Sequence, residues 1–278
     1  MTIAYINGEY LTESLACIPV TDLGFLFGEG VFTTIKVENG HPQFLEMHLK
    51  KLAQHCQALE LKFNEIPKEV FYELIRQNGA EKGIWRLKII VSSADEKGSE
   101  TEAKALASTQ LITLKPYKGN PPVAKLICYP HPICSPLAKF KTLAYWERLW
   151  ITDYALKHGF NDALAFDPFG MVLETSVANV FWKQGKEVFF PDPSLSLYHG
   201  VTLQVLIGIM ESMELKVTAV KVKLEEISLN AQFYLCNSLK GFVPVTSIDA
   251  NVFKRDENFE LELLKAFDNR LLSKPQGD

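Results

Sequence analysis

The 278-residue sequence has no surplus of positive charge: 29 Lys and Arg stand against 33 Asp and Glu, for a formal net charge of -4, and no dense basic run interrupts that balance. Such a chain has no overall attraction for nucleic acid or for an anionic membrane surface. It also lacks any uninterrupted apolar stretch long enough to span a bilayer, and Met1-Thr2-Ile3-Ala4-Tyr5 does not begin a basic-then-apolar secretory leader. A cytoplasmic protein without a membrane or nucleic-acid partner is expected. Cysteine is scarce. Cys17, Cys56, Cys128, Cys134 and Cys236 are odd in number, widely scattered and without a C-x-x-C pair, which excludes a disulfide framework and a zinc site and leaves reduced, mostly buried thiols. His48, His55 and His158 fall on predicted helices without metal-ligand spacing, so no metal is expected. Repeats and low-complexity tracts are absent as well.

What is present is the balance of a globular protein, 47% hydrophobic and 22% charged, at a length suited to two domains. Apolar and polar residues alternate over residues 3–11 around Asn7-Gly8, a dipeptide suited to a tight hairpin turn. A β-branched strand over residues 31–38 ends at a second such turn, Asn39-Gly40. Helical spacing follows over residues 46–59 and 67–78, then strands over 85–92 and 110–114 with a polar loop at 95–104 between them. Proline and glycine in residues 116–122 mark a linker. The expected division is an α+β domain over residues 1–117, a linker over 118–122, and a second domain over 123–278. In the second, a helix is predicted over 143–158, short strands over 162–166, 172–174, 180–182 and 188–190, a helix from Gly200 to about 213, strands over 217–222, 232–235 and 242–245, and a closing helix over 258–271.

Some residues in this pattern have the makings of chemistry. A lysine that forms a Schiff base must spend part of its time unprotonated, which a partly buried loop allows; Lys141 and its neighbour Lys139 both qualify. Glu174 ends a short strand before small and polar residues, as suits a carboxylate facing a cavity, where it would keep a pyridine nitrogen protonated. Gly200-Val201-Thr202 opens a helix with unpaired N–H groups and a hydroxyl, the chemistry of an anion cup or of a simple N-cap. Asn237-Ser238, after a strand, offers further donors or a plain turn. Gly24, Gly28 and Gly30 are no nucleotide loop, because they precede a strand rather than follow one.

Taken together, Glu174-x-x-x-x-Asn179-Val180-Phe181, Phe27-Gly28-Glu29-Gly30-Val31-Phe32-Thr33-Thr34, Lys141-Thr142-Leu143 and Val243-Pro244-Val245 after Cys236-Asn237-Ser238 resemble the class IV, fold type IV pyridoxal-phosphate enzymes over nearly the whole chain. That group holds branched-chain aminotransferases, D-amino acid aminotransferases and aminodeoxychorismate lyases. The resemblance implies an α/β (α+β) two-domain fold, pyridoxal 5'-phosphate at the domain interface, a homodimer and a small-molecule amine substrate. It favours Lys141 over Lys139 as the Schiff-base lysine, because Thr142-Leu143 follows it. By the same resemblance Glu174 pairs with the ring nitrogen, Val201, Thr202, Ser238 and Lys51 hold the phosphate, Tyr145 meets the ring hydroxyl, and Phe32, Thr34 and Asn237 approach the substrate.

The N-terminal motif and Cys236-Asn237 are most similar to aminodeoxychorismate lyases, which convert 4-amino-4-deoxychorismate to 4-aminobenzoate and pyruvate on the way to folate. A class IV aminotransferase is the first alternative and a non-catalytic pyridoxal-phosphate-binding homologue the second. The second is motivated by departures from the family pattern: Lys51 where arginine is usual, Ala144 where asparagine is usual, Phe190 where threonine is usual, and Leu203 where a basic residue is usual. The arginine by which D-amino acid aminotransferases bind a substrate carboxylate would fall near Ser93.

Overall fold

A computed structural model of the chain describes residues 2–94, 108–119 and 121–272. It resolves two compact units, Met1–Gly119 with Phe140–Tyr145, and Asn120–Lys139 with Trp146–Asp278. The polar loop expected at 95–104 lies outside the described residues.

The first unit begins with β1 (Ile3–Ile6) and β2 (Glu9–Thr12), joined by Asn7 and Gly8 at φ 49° and 101°, the positive angles that a two-residue hairpin requires. A short helix α1 (Leu23–Phe27), capped by the Asp22 carboxylate on the Phe25 amide at 3.1 Å, precedes β3 (Gly30–Glu38). The sequence pattern did not reveal α1, whose five residues are too few to show a period. Then come β4 (His41–Pro42), α2 (Leu45–Ala58), α3 (Lys68–Gln77), β5 (Ile84–Ser92) and β6 (Thr109–Pro116). The antiparallel sheet runs β2-β1-β6-β5-β3-β4. Alternate residues Val31, Ile35 and Val37 of β3 and Leu87, Ile89 and Val91 of β5 face one way. There they meet Leu52 and Cys56 of α2 and Phe71, Leu74 and Ile75 of α3 in the core. Phe32, Thr34 and Lys36 of β3 consequently lie on the opposite face.

Phe140–Tyr145, expected within the C-terminal domain, clusters instead with the first unit. The Phe32 amide donates to the Lys141 carbonyl at 2.9 Å, the Leu143 amide donates to the Gly30 carbonyl at 2.9 Å, and Val31 bridges Thr142. Lys141–Leu143 is thereby an extra piece of strand along β3, on the side away from β5. This pairing also corrects the helix expected from residue 143: with the Leu143 amide already bonded to the sheet, helix α4 starts only at Trp146 and runs to Lys157. The glycines at the entrance to β3, Gly28 just before it and Gly30 as its first residue, make room for the visitor. A Cβ on Gly30 would stand 2.6 Å from Leu143 Cδ1, and one on Gly28, whose φ is 73°, 2.9 Å from the Ala144 backbone.

The second unit contains β7 (Ala124–Cys128), α4, β8 (Asp162–Phe166), β9 (Val172–Thr175), β10 (Asn179–Gln184) and β11 (Glu187–Pro191). It continues with α5 (Val201–Ser212), β12 (Lys216–Val220), β13 (Gln232–Asn237), β14 (Gly241–Ile248), β15 (Asn251–Val252) and α6 (Glu257–Leu272). The sheet order is β12-β11-β10-β13-β14-β7-β8-β9, and β9 pairs with β10 as well, so the strands from β10 through β13, β14, β7 and β8 to β9 close on themselves. Val172, Val180, Trp182, Phe233, Leu235, Val243 and Val245 form one core. Ile151 and Ala155 of α4 pack on Ala163, Ala165 and Leu173 in another. The small alanines of β8 let that helix lie close to the sheet. Helix α5 buries Val201, Leu203, Val205, Leu206, Ile209 and Met210 and leaves Gln204, Gly208 and Glu211 exposed on one face.

The crowding at Gly28 gives a measurable expectation. Gly28→Ala should lower the urea-unfolding free energy by roughly 1–3 kcal/mol, from an unfavourable backbone angle and the Ala144 contact together. Gly83→Ala, where φ is 79° but nothing stands within 4 Å, should cost only the backbone part.

Candidate active site

In the first unit the chemistry gathers around Lys141. Its backbone is fixed by β3, and its Nζ lies 3.5 Å from Tyr145 Oη and 4.7 Å from the centre of the Phe32 ring. Phe32 and Tyr145 meet edge to face at 5.1 Å, so the amine is bordered by two aromatic rings. Lys88 Nζ, from β5, lies 4.2 Å from the same Phe32 ring, and Thr34 is the cross-strand partner of Lys88. Lys139, the rival lysine, is exposed and belongs to the second unit.

Helix α2 brings more charge to this place. Burial pushes the Lys51 amine down to about 8. His48 is buried one turn away, with Nδ1 2.7 Å from Thr33 Oγ1. Burial, and then the charges of Lys141 and Lys51, push the His48 imidazole down to about 3. Burial followed by Lys51 and Lys141 pushes His55 to about 4. Both rings are therefore neutral at pH 7, while the two lysines make the surroundings positive. A neutral ring at His48 lets Thr33 and the helix pack without a third charge.

In the second unit Glu174, the last residue but one of β9, stands directly opposite Asn179 of β10, and the turn between the strands is held by the Thr175 amide on the Ala178 carbonyl at 2.8 Å. Glu174 Oε1 accepts from Arg148 Nη2 at 2.5 Å and from the Tyr198 amide at 2.9 Å; Oε2 accepts from Asn179 Nδ2 at 3.3 Å. Asn179 Nδ2 also donates to the Tyr198 carbonyl at 2.5 Å, and its Oδ1 accepts from the Gly200 amide at 2.9 Å. One asparagine thus ties the carboxylate to the segment that opens α5. This is the physical content of the E-x-x-x-x-N spacing: the four residues between carry the chain around a tight turn and bring the two side chains to neighbouring strands.

Gly200 is the N-cap of α5 and contributes no side-chain hydrogen bond; a Cβ there would stand 2.7 Å from Asn179 Oδ1. Val201 and Thr202 follow in the first turn, both buried. Ser238 lies in the turn after β13, whose Cys236 pairs with Asn179. The side chain of Asn237, expected to approach substrate, is engaged otherwise. Its Nδ2 donates to the Val177 carbonyl at 3.0 Å and its Oδ1 accepts the amides of Leu239 and Lys240 at 3.1 and 2.9 Å.

Each unit therefore assembles its own subset: Lys141, Tyr145, Phe32, Thr34 and Lys51 in the first, Glu174, Val201, Thr202, Ser238 and Asn237 in the second. Of the departures from the family pattern, Phe190 and Leu203 are buried apolar residues, and Phe190 contacts His199 edge to face at 5.8 Å. Sequence reasoning missed Arg148 and the clamp made by Asn179. The asparagine was visible within its motif, but Arg148 lies 26 residues from Glu174 and carries no local signal. Among the described residues no group of three or more His, Cys, Asp or Glu is placed to hold a metal ion, and no helix is long and apolar enough to cross a membrane.

The model of the amino-transferase class IV family matches residues 30–248, from the first residue of β3 to the last of β14. The chain belongs to this family. Its relatives include an aminodeoxychorismate lyase of Bacillus subtilis, 25% identical over 88% of this chain and 86% of that protein. Another is a bifunctional aminodeoxychorismate lyase / D-amino acid transaminase of Mycobacterium tuberculosis, 27% identical over 72% of this chain and 75% of that protein. Among solved structures, the PLP-bound form of a hypothetical aminotransferase from Mycobacterium tuberculosis superposes with a TM-score of 0.82 at 19% identity, over 98% of this chain and 99% of that one. The architecture is that of the fold type IV enzymes in this family.

The neutral histidines predict an acid limb in stability. His48 has its ordinary value near 6.5 in the unfolded chain and about 3 in the fold, so the unfolded state takes up the proton first. Stability is complete above about pH 6.5 and declines as pH falls toward 3. Between pH 6.5 and 4.5 the urea-unfolding free energy should drop by about 2 kcal/mol or more, and His48→Asn should flatten that limb.

Proposed function

We propose that this chain is a pyridoxal-phosphate-dependent lyase that converts 4-amino-4-deoxychorismate to 4-aminobenzoate and pyruvate. The observation that carries the cofactor chemistry is the hydrogen-bonded unit of Glu174, Asn179 and Gly200. It joins a buried carboxylate, suited to a pyridine nitrogen, to a helix start suited to a phosphate. The rest of the donor set fits the same group: an amine at Lys141 for the aldehyde, a hydroxyl at Tyr145 beside it, and a cation at Lys51 for the phosphate. Gly200 adds a cradle that a Cβ would fill. The lyase assignment is supported by the Bacillus subtilis relative and by the Phe-Gly-x-Gly-x-Phe-Thr-Thr motif, while Ser93 near the place of a substrate-binding arginine counts against a D-amino acid aminotransferase.

When bound, pyridoxal phosphate supplies an aldehyde for amines and a ring that withdraws electrons once its nitrogen is protonated. Glu174 would hold the proton at that nitrogen. The Val201 and Thr202 amides, the Thr202 hydroxyl and Ser238 would hold the phosphate, and Lys51 would add its charge. Lys141 would be the amine for the aldehyde and the base that takes the proton from the substrate's amine-bearing carbon. Phe32 and Tyr145 keep water from that amine on two sides, and Tyr145 Oη directs it. Loss of the proton lets enolpyruvate depart as the product ring becomes aromatic. The working assembly in this proposal is a cytoplasmic homodimer acting on a small-molecule amine, with exposed Trp146, Leu149 and Trp150 of α4 as the apolar surface for the second copy.

An aminotransferase is the second reading, favoured by the bifunctional Mycobacterium tuberculosis relative. One assay separates the two: the purified protein should release 4-aminobenzoate and pyruvate from aminodeoxychorismate with no keto acid added, and Lys141→Ala should abolish this. Turnover only of amino acids, and only with a keto acid present, would sink the lyase reading. A second expectation concerns Lys51, which is charged below about pH 8 and neutral above it. Affinity for pyridoxamine 5'-phosphate should weaken at least about threefold as pH rises through that value, and Lys51→Arg, charged throughout, should remove the decline.

A further inference from the structure

Glu174 does not face its task as a lone carboxylate. Arg148 Nη2 lies 2.5 Å from Oε1 and Nη1 donates to the Thr175 carbonyl at 3.2 Å, and the two side chains are only 12% and 6% exposed. We infer that Arg148 is a positioning residue that sets how firmly Glu174 holds a proton on the pyridine nitrogen, by sharing that carboxylate's charge. This rests on the proposed function.

The physical reason is a competition inside a poorly solvated site. An isolated buried carboxylate would be costly and would tend to take up a proton itself, so a paired cation keeps it ionised. The same cation lowers the carboxylate's pull on a second positive group, here the protonated ring nitrogen. Bracing alone does not account for an arginine at this position. Helix α4 is already tied to the turn after β9 by a neutral bond, from Thr152 Oγ1 to Ser176 Oγ at 2.8 Å, and Ser176 Oγ in turn donates to Asp162 Oδ1 of β8 at 2.6 Å. The Tyr198 amide and the Asn179 side chain also meet Glu174, both as neutral donors. Asp162 of β8, reached through Ser176, adds a negative charge that is itself set against Lys240. Arg148 is a cation that hydrogen-bonds this carboxylate from within the second unit, and its charge is felt on whatever Glu174 binds.

The probe is 4-deoxypyridoxine 5'-phosphate, which carries the ring nitrogen and phosphate but no aldehyde, so Lys141 forms no bond to it. Bound to the full-length protein, its ring-nitrogen protonation is followed against pH by ultraviolet absorbance or by 15N NMR. The wild type should lose the proton at a midpoint below about pH 9. Arg148→Gln should raise that midpoint by about one pH unit, a tenfold gain in proton affinity, and Arg148→Lys should return it toward wild type. An unchanged midpoint in a folded Arg148→Gln protein overturns the inference while leaving the proposed function in place. Should that variant not fold, the wild type and Arg148→Lys decide: a wild-type ring nitrogen that stays protonated up to alkaline unfolding overturns the inference, and a midpoint below about pH 9 that Arg148→Lys preserves supports it. Failure of the wild type to bind the probe, or a midpoint that Glu174→Gln does not lower, overturns the proposed function and the inference together.

Discussion

The first unit depends on a loan of backbone. Two hydrogen bonds, from Phe32 to Lys141 and from Leu143 to Gly30, turn a piece of chain that sits between two stretches of the second unit into part of the first unit's sheet. A lysine on a solvated loop would sample many positions. Here the main chain is held by strand geometry, and only the side-chain torsions remain to be set by Phe32 and Tyr145. The glycines at the entrance to β3 follow from the same constraint, because any side chain at Gly28 or Gly30 would occupy the volume that residues 143 and 144 need.

The second unit solves its own problem by a different interaction, an amide side chain that bonds in three directions. Asn179 touches Glu174, the Tyr198 carbonyl and the Gly200 amide, so the carboxylate and the start of α5 cannot shift independently. A positively polarised helix start and a negative carboxylate are natural partners for a ligand that carries a cationic ring at one end and an anion at the other. What sets the carboxylate's strength is then the guanidinium beside it.

Much of this was legible in the sequence wherever the cause is local. Asn7-Gly8 and Asn39-Gly40 announce their hairpins, the apolar spacing announces α2, α3 and α6, and the Glu174 to Asn179 interval marks a turn between adjacent strands. Causes that act across the chain were not legible. The start of α4 was placed three residues early because nothing near Leu143 shows that its amide is claimed by Gly30. Arg148 looked like one more charge on a helix, and nothing near Asn237 shows that its Nδ2 donates to the Val177 carbonyl, 60 residues away. The histidines of α2 were readable as core residues by spacing, but their neutrality comes first from a burial that only the fold completes and then from the charges of Lys51 on the same helix and of Lys141, which the fold brings near.

The closure of the second sheet has a further consequence. Because β9 pairs with β8 on one side and β10 on the other, the four-residue strand ending at Thr175 has no exposed edge along which to slide. A slip of one residue would turn Glu174 to the other face and would have to break both ladders at once. Insertions and deletions can therefore accumulate in the surface loops of this unit without moving the carboxylate, whereas the strand that carries it can change only by substitution. A protein built this way can alter what it acts upon while the position of its acid stays fixed by the arithmetic of a closed ring.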